Sequence, residues 1–181
     1  MSKLYFTRHG QTIWNVENKI CGATDIALTQ LGHQQAAELG EMILRQGISI
    51  DEILCSPLMR ARDTAAHISQ VTGIPLRVEP RLTEQNFGRF EGTPRDGAEF
   101  LQAKSQFVNH FETGESMLRL CQRIYNLLDE VTQETRDTGK TYLLVAHNGI
   151  ARAVHSYFCD MSNEEYAASG MNNCQLREYE F

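Results

Sequence analysis

Two histidines of this sequence each follow a short apolar run and precede a glycine. Leu4-Tyr5-Phe6 comes shortly before Arg8-His9-Gly10, and Leu143-Leu144-Val145 comes shortly before His147-Asn148-Gly149. Each pattern is typical of a buried strand that ends in a polar loop. Ligands bind at the carboxyl ends of the strands in open α/β sheets. If the two strands are parallel neighbours, both histidines lie at the same ligand-binding edge.

A third apolar run brings an arginine to the same predicted edge. Ile53-Leu54-Cys55 leads into Ser56-Pro57, and Arg60 follows in the first turn of a predicted helix. Helix N-termini bind anions because their backbone N–H groups have no partner within the helix. The arginine fork matches phosphate oxygens with two parallel donors. Two histidines, Arg8, Arg60 and a helix dipole therefore suit a phosphate dianion.

The elements that position these residues alternate between strand-like and helix-like segments. The predicted strands are Lys3–Arg8, Glu52–Cys55, Leu76–Val78, 141–146 and 174–181. The predicted helices are 30–46, 57–72, 98–107, a long helix from 117, 150–158 and a short helix after Ser162. This alternation predicts an α/β fold, a three-layer α/β/α sandwich with a mostly parallel central sheet.

Capping residues and apolar stripes predict where the helices begin and which faces they bury. We expect Ser56 to be an N-cap, with Pro57 at the first helical position. Thr29 and Ser116 are expected to cap the two longest helices. The buried face of the helix after Thr29 is predicted from the stripe of Leu31, Ala36, Leu39 and Ile43.

The composition argues against several classes of function. The 181 residues suit a single domain, 1–181, and 17 Lys and Arg against 23 Asp and Glu give a net charge of −6. This balance argues against a nucleic-acid partner, which calls for a basic surface. No apolar run approaches the roughly 20 residues of a spanning helix, so we expect no membrane contact. Five scattered cysteines and the lack of a signal-peptide pattern predict a cytoplasmic protein with reduced thiols.

Five ordered segments of the chain resemble the histidine phosphatase superfamily, also called the phosphoglycerate mutase-like family. The N-terminal signature is Arg8-His9-Gly10-Gln11-Thr12 with Asn15, and the segment from Gly22 to Gly32 resembles the one that follows it. Ser56-Pro57-Leu58-Met59-Arg60-Ala61 is similar to a further motif. The last two resemblances are the segment from Leu82 to Gly92 and Val145-Ala146-His147-Asn148-Gly149.

The resemblance implies a role for each candidate residue. His9 would be the nucleophile that forms a phosphohistidine. Arg8, Arg60 and His147 would bind the non-bridging phosphate oxygens, and His147 would do so best when protonated. Glu84 would be the general acid for the leaving alkoxide. The residues expected to contact the substrate are Asn15, Cys21, Gly22 and Asn148.

One residue departs from the family pattern. The family usually has Gly or Ser where this chain has Asn148. Asn tolerates unusual backbone angles, so we expect the turn to form. Its side chain would narrow the pocket or donate a hydrogen bond to the substrate.

Phosphatases and mutases of this family share these motifs. Only 63 positions separate Glu84 from His147, whereas the resemblance implies additional sequence in this interval for the mutases. The Asn86–Gly92 stretch also resembles the phosphatase branch. We therefore predict a metal-independent phosphatase that needs no cofactor and hydrolyses a small phosphomonoester, with cofactor-dependent phosphoglycerate mutase-type transfer as the alternative.

Two alternatives of another class remain open at this point. His9, His147 and Glu84 could form a metal site of two histidines and one carboxylate, although Arg8 and Arg60 would repel a cation there. A non-catalytic module that binds a phosphorylated ligand would use the same phosphate pocket.

Substrate specificity is expected to come from a short cap at about 93–115. This segment offers second anion contacts from Arg95, Lys104 and His110. It also offers apolar walls from Phe100, Phe107 and Phe111. The sequence leaves open which phosphomonoester binds and whether the chain forms a homodimer.

Overall fold

The computed structural model describes residues 1–181 and contains a five-stranded sheet of order β3-β2-β4-β1-β5. The strands are β1 Lys3–Arg8, β2 Glu52–Cys55, β3 Leu76–Val78, β4 Tyr142–Ala146 and β5 Leu176–Glu180. β5 pairs antiparallel with β1, and every other pair is parallel. The mostly parallel sheet predicted from the sequence is therefore confirmed.

Helices cover both faces of this sheet. They are α1 Ile13–Val16, α2 Gln30–Arg45, α3 Met59–Thr72, α4 Ala98–Lys104, α5 Met117–Thr138, α6 Asn148–Phe158 and α7 Asn163–Ala168. No helix is long and apolar enough to cross a membrane.

The side chains of the two central strands alternate between two separate hydrophobic cores. Phe6 and Leu144 pack against α5 and α6 on one face. Tyr5, Leu143 and Val145 pack against α2 and α3 on the other. Successive side chains of a strand point to opposite faces, so the apolar runs in β1 and β4 supply both cores. This arrangement is the predicted three-layer sandwich.

The register of the parallel strands places their ends side by side. Arg8, the last residue of β1, pairs with Ala146, the last residue of β4. The N–H of His9 donates to the carbonyl of Ala146 over 2.9 Å. The two histidines that follow these strands therefore lie at one carboxyl edge, as the sequence predicted.

The prediction that Ser56 caps α3 is wrong. The helix begins at Met59, its N-cap is Leu58, and no side chain caps it. The hydroxyl of Ser56 is buried against His147 instead, so Ser56-Pro57 forms a turn before the helix. Thr29, Ser116 and Ser162 do cap α2, α5 and α7.

The predicted buried face of α2 is wrong at one position. Leu31 is 48% exposed, whereas Gly32 and Gly40 are buried beside Ala36, Leu39 and Ile43. A Cβ on Gly32 would lie 2.1 Å from the carbonyl oxygen of Gln11. The closely packed face of α2 is therefore built on glycines that an apolar periodicity does not reveal.

The segment 93–115 packs over the carboxyl edge through an aromatic cluster. Helix α4 is shorter than predicted, because it ends at Lys104. Phe100 and Phe111 pack with Phe87, Phe90 and Ile20 in a third hydrophobic core. Phe111 and Glu112 have positive φ angles of 53° and 67°. This turn brings Phe111 back under α4 and fixes the segment near the site.

Candidate active site

The imidazole of His9 is buried and held in one orientation. Its Nδ1 lies 2.7 Å from the carbonyl oxygen of Gly10, so Nδ1 carries the hydrogen and donates it. Burial, followed by the charges of Arg60 and Arg8, lowers the pKa of His9 well below its usual value. The ring is therefore neutral at pH 7, and Nε2 keeps its lone pair.

His147 lies next to His9, with ring centroids 5.2 Å apart. Its Nε2 is 2.7 Å from the Ser56 hydroxyl oxygen, and its buried Nδ1 makes no hydrogen bond within the protein. When Ser56 donates to Nε2, the neutral ring carries its hydrogen on Nδ1. Burial and the charge of Arg60 lower the pKa of His147 well below its usual value. The protein groups by themselves therefore hold this ring neutral.

Two arginines bring buried positive charge to the histidines. Arg60 is fully buried, and its guanidinium donates to the carbonyls of Thr24 and Gly22 over 2.8 and 2.6 Å. Arg8 donates to the carbonyl of Met171 over 2.8 Å. Neither arginine forms a salt bridge within 4.0 Å, and the Nε of each is buried without a partner in the protein. Burial, followed by the charge of Arg95, lowers the pKa of Arg8 to about 10, so this guanidinium group remains charged at pH 7.

Glu84 enters the site from the loop after the 3₁₀ turn Pro80–Leu82. Its side chain is buried, and its two carboxyl oxygens accept hydrogen bonds from the N–H groups of Gln85 and Gly149 over 2.9 Å each. Gly149 directly follows Asn148, at the start of α6. A Cβ on Gly149 would lie 2.4 Å from a carboxyl oxygen of Glu84, so a larger residue here would displace that carboxyl group.

The loop after β1 positions Asn15. Its Oδ1 accepts from the N–H of Thr12 over 3.0 Å and from the amide of Asn173 over 3.3 Å. The Asn173 amide also donates to the carbonyl of His9 over 2.8 Å. Both acceptor contacts fall on the oxygen of Asn15, so its NH₂ group is available as a donor.

Cys21 and Gly22 form one wall of the site. Burial raises the pKa of the Cys21 thiol, which leaves it uncharged at pH 7. The carbonyl of Gly22 accepts from Arg60, and a Cβ there would lie 2.2 Å from the Gln85 carbonyl oxygen. Both residues therefore shape the site.

Asn148 borders the cavity but uses its side chain to hold the C-terminal loop. Its Oδ1 accepts from the N–H of Met171 over 2.9 Å. The carbonyl of the same Met171 accepts from Arg8. Asn148 therefore connects α6 to the loop that supports Arg8.

A cavity of about 160 Å³ adjoins Glu84. It is lined by Ile20, Cys21, Glu84, Gln85, Phe87, Arg95, Phe100, Lys104, Met117, Asn148, Gly149 and Arg152. Of the specificity residues expected from 93–115, Arg95, Lys104 and Phe100 line it, whereas His110, Phe107 and Phe111 do not. The aromatic side chain of Phe111 is part of the third core, and Phe107 is partly exposed beside Tyr166.

Three residues of the site were missed by sequence reasoning. The Ser-Pro pattern favours a helix cap for Ser56, and Asn173 carries no local signal because its partners precede it by more than 150 positions. Arg152 had a usable signal, since it follows Asn148 by four positions, which places both residues on one face of α6.

No group of three His, Cys, Asp or Glu side chains is arranged to hold a metal ion. The two oxygens of Glu84 already accept backbone N–H groups, and Arg60 and Arg8 add positive charge beside the histidines. The geometry fits an anion better than the metal site of His9, His147 and Glu84 that the sequence left open.

A profile of the histidine phosphatase superfamily (branch 1) matches residues 4–181. The chain belongs to this superfamily. Its relatives include the probable phosphoglycerate mutase GpmB of Yersinia pestis, which is 31% identical over 188 aligned residues. The alignment covers 100% of this chain and 86% of the relative.

Two solved structures share the fold over nearly the whole chain. A mycobacterial glucosyl-3-phosphoglycerate phosphatase is 27% identical and superposes with a TM-score of 0.84, covering 98% of this chain and 89% of that one. A putative α-ribazole-5′-P phosphatase from Escherichia coli, 23% identical, has a TM-score of 0.82 over 98% of this chain and 89% of its own. At 23% identity, the likeness to the Escherichia coli protein shows a shared fold and nothing about the reaction. Superfamily membership indicates phosphoryl transfer, by a phosphatase or a mutase.

Proposed function

We propose that this protein is a metal-independent phosphomonoesterase that works through a phosphohistidine on His9. The observation that carries the proposal is the tautomer of His9. The Gly10 carbonyl accepts a hydrogen bond from the Nδ1–H group, which leaves the Nε2 lone pair for attack on phosphorus. Burial and two neighbouring guanidinium groups keep this ring neutral, so the nucleophile is present at physiological pH.

The arginines and His147 would bind the phosphoryl group during the reaction. Phosphoryl transfer is catalysed mainly by positioning and by stabilising charge on the equatorial oxygens. The unpartnered Nε groups of Arg8 and Arg60 and the unpartnered Nδ1 of His147 are buried donors that such oxygens would satisfy. A bound dianion would also raise the pKa of His147 and favour the protonated ring. Asn15 would add its NH₂ group.

Two steps complete the proposed reaction. In the first, Nε2 of His9 bonds to phosphorus, the ester P–O bond breaks, and Glu84 gives its proton to the leaving oxygen. In the second, Glu84 takes a proton from water, the water oxygen bonds to phosphorus, and the P–N bond breaks. Inorganic phosphate and the alcohol are released, and His9 and Glu84 return to their starting states.

The first experiment measures phosphate release from p-nitrophenyl phosphate with and without a strong chelator. We expect activity that survives the chelator and is lost in His9→Ala, with His110→Ala as the matched control at an exposed histidine. Protein quenched in alkali should carry one phosphoryl group on His9. Full activity in His9→Ala would refute the mechanism, and activity abolished by the chelator would refute metal independence.

A second experiment tests the acid role of Glu84. p-Nitrophenolate is a good leaving group that needs little protonation, whereas the alkoxide of glycerol phosphate needs a proton. We expect Glu84→Gln to slow hydrolysis of glycerol phosphate by about 10²–10⁴-fold, the usual range for general acid catalysis. The loss on p-nitrophenyl phosphate should be much smaller. Equal losses on both substrates would argue against the acid role.

The mutase alternative has its own support in the 31% identity to a probable phosphoglycerate mutase. It predicts that 3-phosphoglycerate is converted to 2-phosphoglycerate faster than inorganic phosphate appears. Following both products in one reaction decides between the two activities.

A further inference from the structure

A second pair of histidines lies outside the phosphate site, between α2 and α3. His33 is in the first turn of α2, and His67 is in the second half of α3. The Nδ1 of His33 is 2.9 Å from the Nε2 of His67, and the ring centroids are 5.1 Å apart. Both residues are partly exposed, so this surface pair lies where solvent meets the two helices.

The separation of the two nitrogens fits two neighbouring ligands of one metal ion. Bonds between a metal ion and a histidine nitrogen are about 2.0–2.1 Å long. At this length, two ligand nitrogens at a right angle lie about 2.9 Å apart, whereas two tetrahedral ligands lie about 3.3–3.4 Å apart. The 2.9 Å distance within the surface pair therefore suits tetragonal or octahedral ions that favour imidazole, such as Cu²⁺ and Ni²⁺.

The hydrogen bond between the two rings does not prevent them from binding an ion. In this bond one nitrogen carries a hydrogen and the other offers a lone pair. A metal ion needs a lone pair from both rings. The donor ring provides it by carrying its hydrogen on its other nitrogen, and a small rotation of the side chains then directs both lone pairs at the ion. Two neutral rings bind the ion in this way, and no proton is gained or lost.

The surroundings of the surface pair favour a cation. Asp63 lies one turn before His67, on the same face of α3. Its carboxylate forms no salt bridge within 4.0 Å, unlike many other acidic side chains of the chain. No third His, Cys, Asp or Glu side chain is placed to complete the site. Water would therefore fill the remaining positions, and the ion would stay open to exchange with solvent.

The other four histidines offer no competing pair at the surface. His9 and His147 are buried in the phosphate site. His110 and His155 have no second imidazole beside them. A probe that requires two adjacent, exposed histidines therefore reports on the surface pair alone.

We propose that His33 and His67 form a binding site for a divalent transition-metal ion of the Cu²⁺ or Ni²⁺ class, which links α2 to α3. Gly32 precedes His33 and packs against the loop after β1. Thr64 lies one turn before His67 and accepts a hydrogen bond from the same loop. The ion would therefore clamp the two helices beside their contacts with this loop. Neither histidine belongs to the proposed phosphate site, so the inference does not rest on the proposed function.

The first test uses the full chain without an affinity tag and two Ni²⁺ chelates. Nitrilotriacetate occupies four positions of octahedral Ni²⁺ and leaves two neighbouring positions open, as the surface pair requires. Tetraethylenepentamine occupies five positions and leaves one. We expect isothermal titration calorimetry to show at least about tenfold tighter binding of the nitrilotriacetate chelate, because the second histidine binds it as an intramolecular ligand. Equal affinity for the two chelates would overturn the proposal.

Single variants then locate the site. His33→Gln and His67→Gln should each weaken binding of the Ni²⁺–nitrilotriacetate chelate by about tenfold or more. His110→Gln, at an exposed histidine without a neighbouring imidazole, is the matched control and should bind like the wild type. Circular dichroism checks that each variant is folded. Wild-type affinity in both glutamine variants would place the chelate elsewhere and refute the site.

The clamp between α2 and α3 has its own measurement. A ligand that binds the folded chain in preference to the unfolded chain raises Tm. We expect excess Ni²⁺–nitrilotriacetate to raise the Tm of the wild type and of His110→Gln, but not that of His33→Gln or His67→Gln. Binding to the surface pair without a rise in Tm would refute the clamp. Release of phosphate from p-nitrophenyl phosphate is measured separately, so failure of the proposed function is distinguishable from failure of the metal site.

Discussion

At the scale of single residues, the site is defined by which buried polar atoms have partners and which do not. The Nδ1 of His9 has a carbonyl acceptor, whereas the Nδ1 of His147 and the Nε of Arg8 and Arg60 have none. Buried donors without partners are costly in a folded protein, so several of them in one place suit the anion that the proposed function requires. Ser56 is part of this arrangement because its hydroxyl group hydrogen-bonds to Nε2 of His147.

Ser56→Ala tests whether this hydroxyl positions His147. The variant leaves Nε2 of a buried ring without its partner, a loss of about 1–3 kcal/mol that allows the ring to turn and its hydrogen to shift to Nε2. We expect kcat for p-nitrophenyl phosphate to fall about tenfold, with a smaller change in KM. Ser105→Ala, which removes an exposed hydroxyl that bonds only to the Gln102 carbonyl, is the control. An unchanged kcat in Ser56→Ala would mean that the ring is positioned by packing alone.

At the scale of elements, the site depends on how closely α2 packs against the loop after β1. Gly32 in the first turn of α2 faces the backbone of Gly10 and Gln11, and a Cβ on Gly10 would lie 2.4 Å from the Gly32 carbonyl oxygen. The N–H of Gly10 donates to Thr64 of α3, which in turn donates to the carbonyl of Arg60. The two helices therefore hold the His9 loop and the Arg60 backbone together.

Gly32→Ala is expected to destabilise the protein and to disturb the His9 loop. The new Cβ would lie 2.1 Å from a backbone oxygen that cannot move without shifting the loop, a cost of about 1–3 kcal/mol for overpacking. Urea unfolding should show this loss together with a reduced kcat. In Gly40→Ala, the control on the same helix, the nearest atom is the Val71 Cβ at 3.0 Å, so kcat should be retained. Normal stability of Gly32→Ala would contradict the close approach.

At the scale of the whole molecule, the site collects residues from both ends of the chain. The two histidines follow β1 and β4, and Arg60 lies in α3. In the loop before β5, Met171 contacts Arg8 and Asn173 contacts Asn15. Protonation of the site is therefore linked to global folding. Both histidines have pKa values well below 6.5 in the folded protein, so the unfolded chain binds protons first as the pH falls.

This linkage predicts a loss of stability in mild acid. The contribution of the two neutral histidines to the free energy of unfolding is complete above pH 6.5. It is lost as the pH falls below that value. Each histidine adds about 1.4 kcal/mol per pH unit to the slope of the unfolding free energy. Urea unfolding between pH 7 and 5 should show this slope, and His147→Gln should reduce it, whereas His110→Gln at an exposed site should not. A slope unaffected by His147→Gln would show that this ring is not held neutral.

The fold and most of the site were predictable because both depend on local patterns. The apolar runs of β1 and β4 each lead into a polar loop, and parallel pairing then brings His9 and His147 to one edge without further information. The position of Arg60 at the same edge was predictable because it lies in the first turn of the helix that follows β2. Contacts between distant segments were not predictable in this way. The helix begins at Met59 rather than at Pro57, and the hydroxyl of the predicted N-cap Ser56 bonds instead to a ring 91 positions away.

The sequence by itself determined the α/β order, the superfamily motifs and most residues of the candidate site, since these follow from periodicity and from residue chemistry. The tertiary structure decided the protonation states, because burial and the charges of Arg8 and Arg60 act through space. It also decided which residues of 93–115 face the cavity and that Arg152 joins them. Helix α6 brings this arginine to a cavity whose opposite wall comes from a segment about 50 positions earlier.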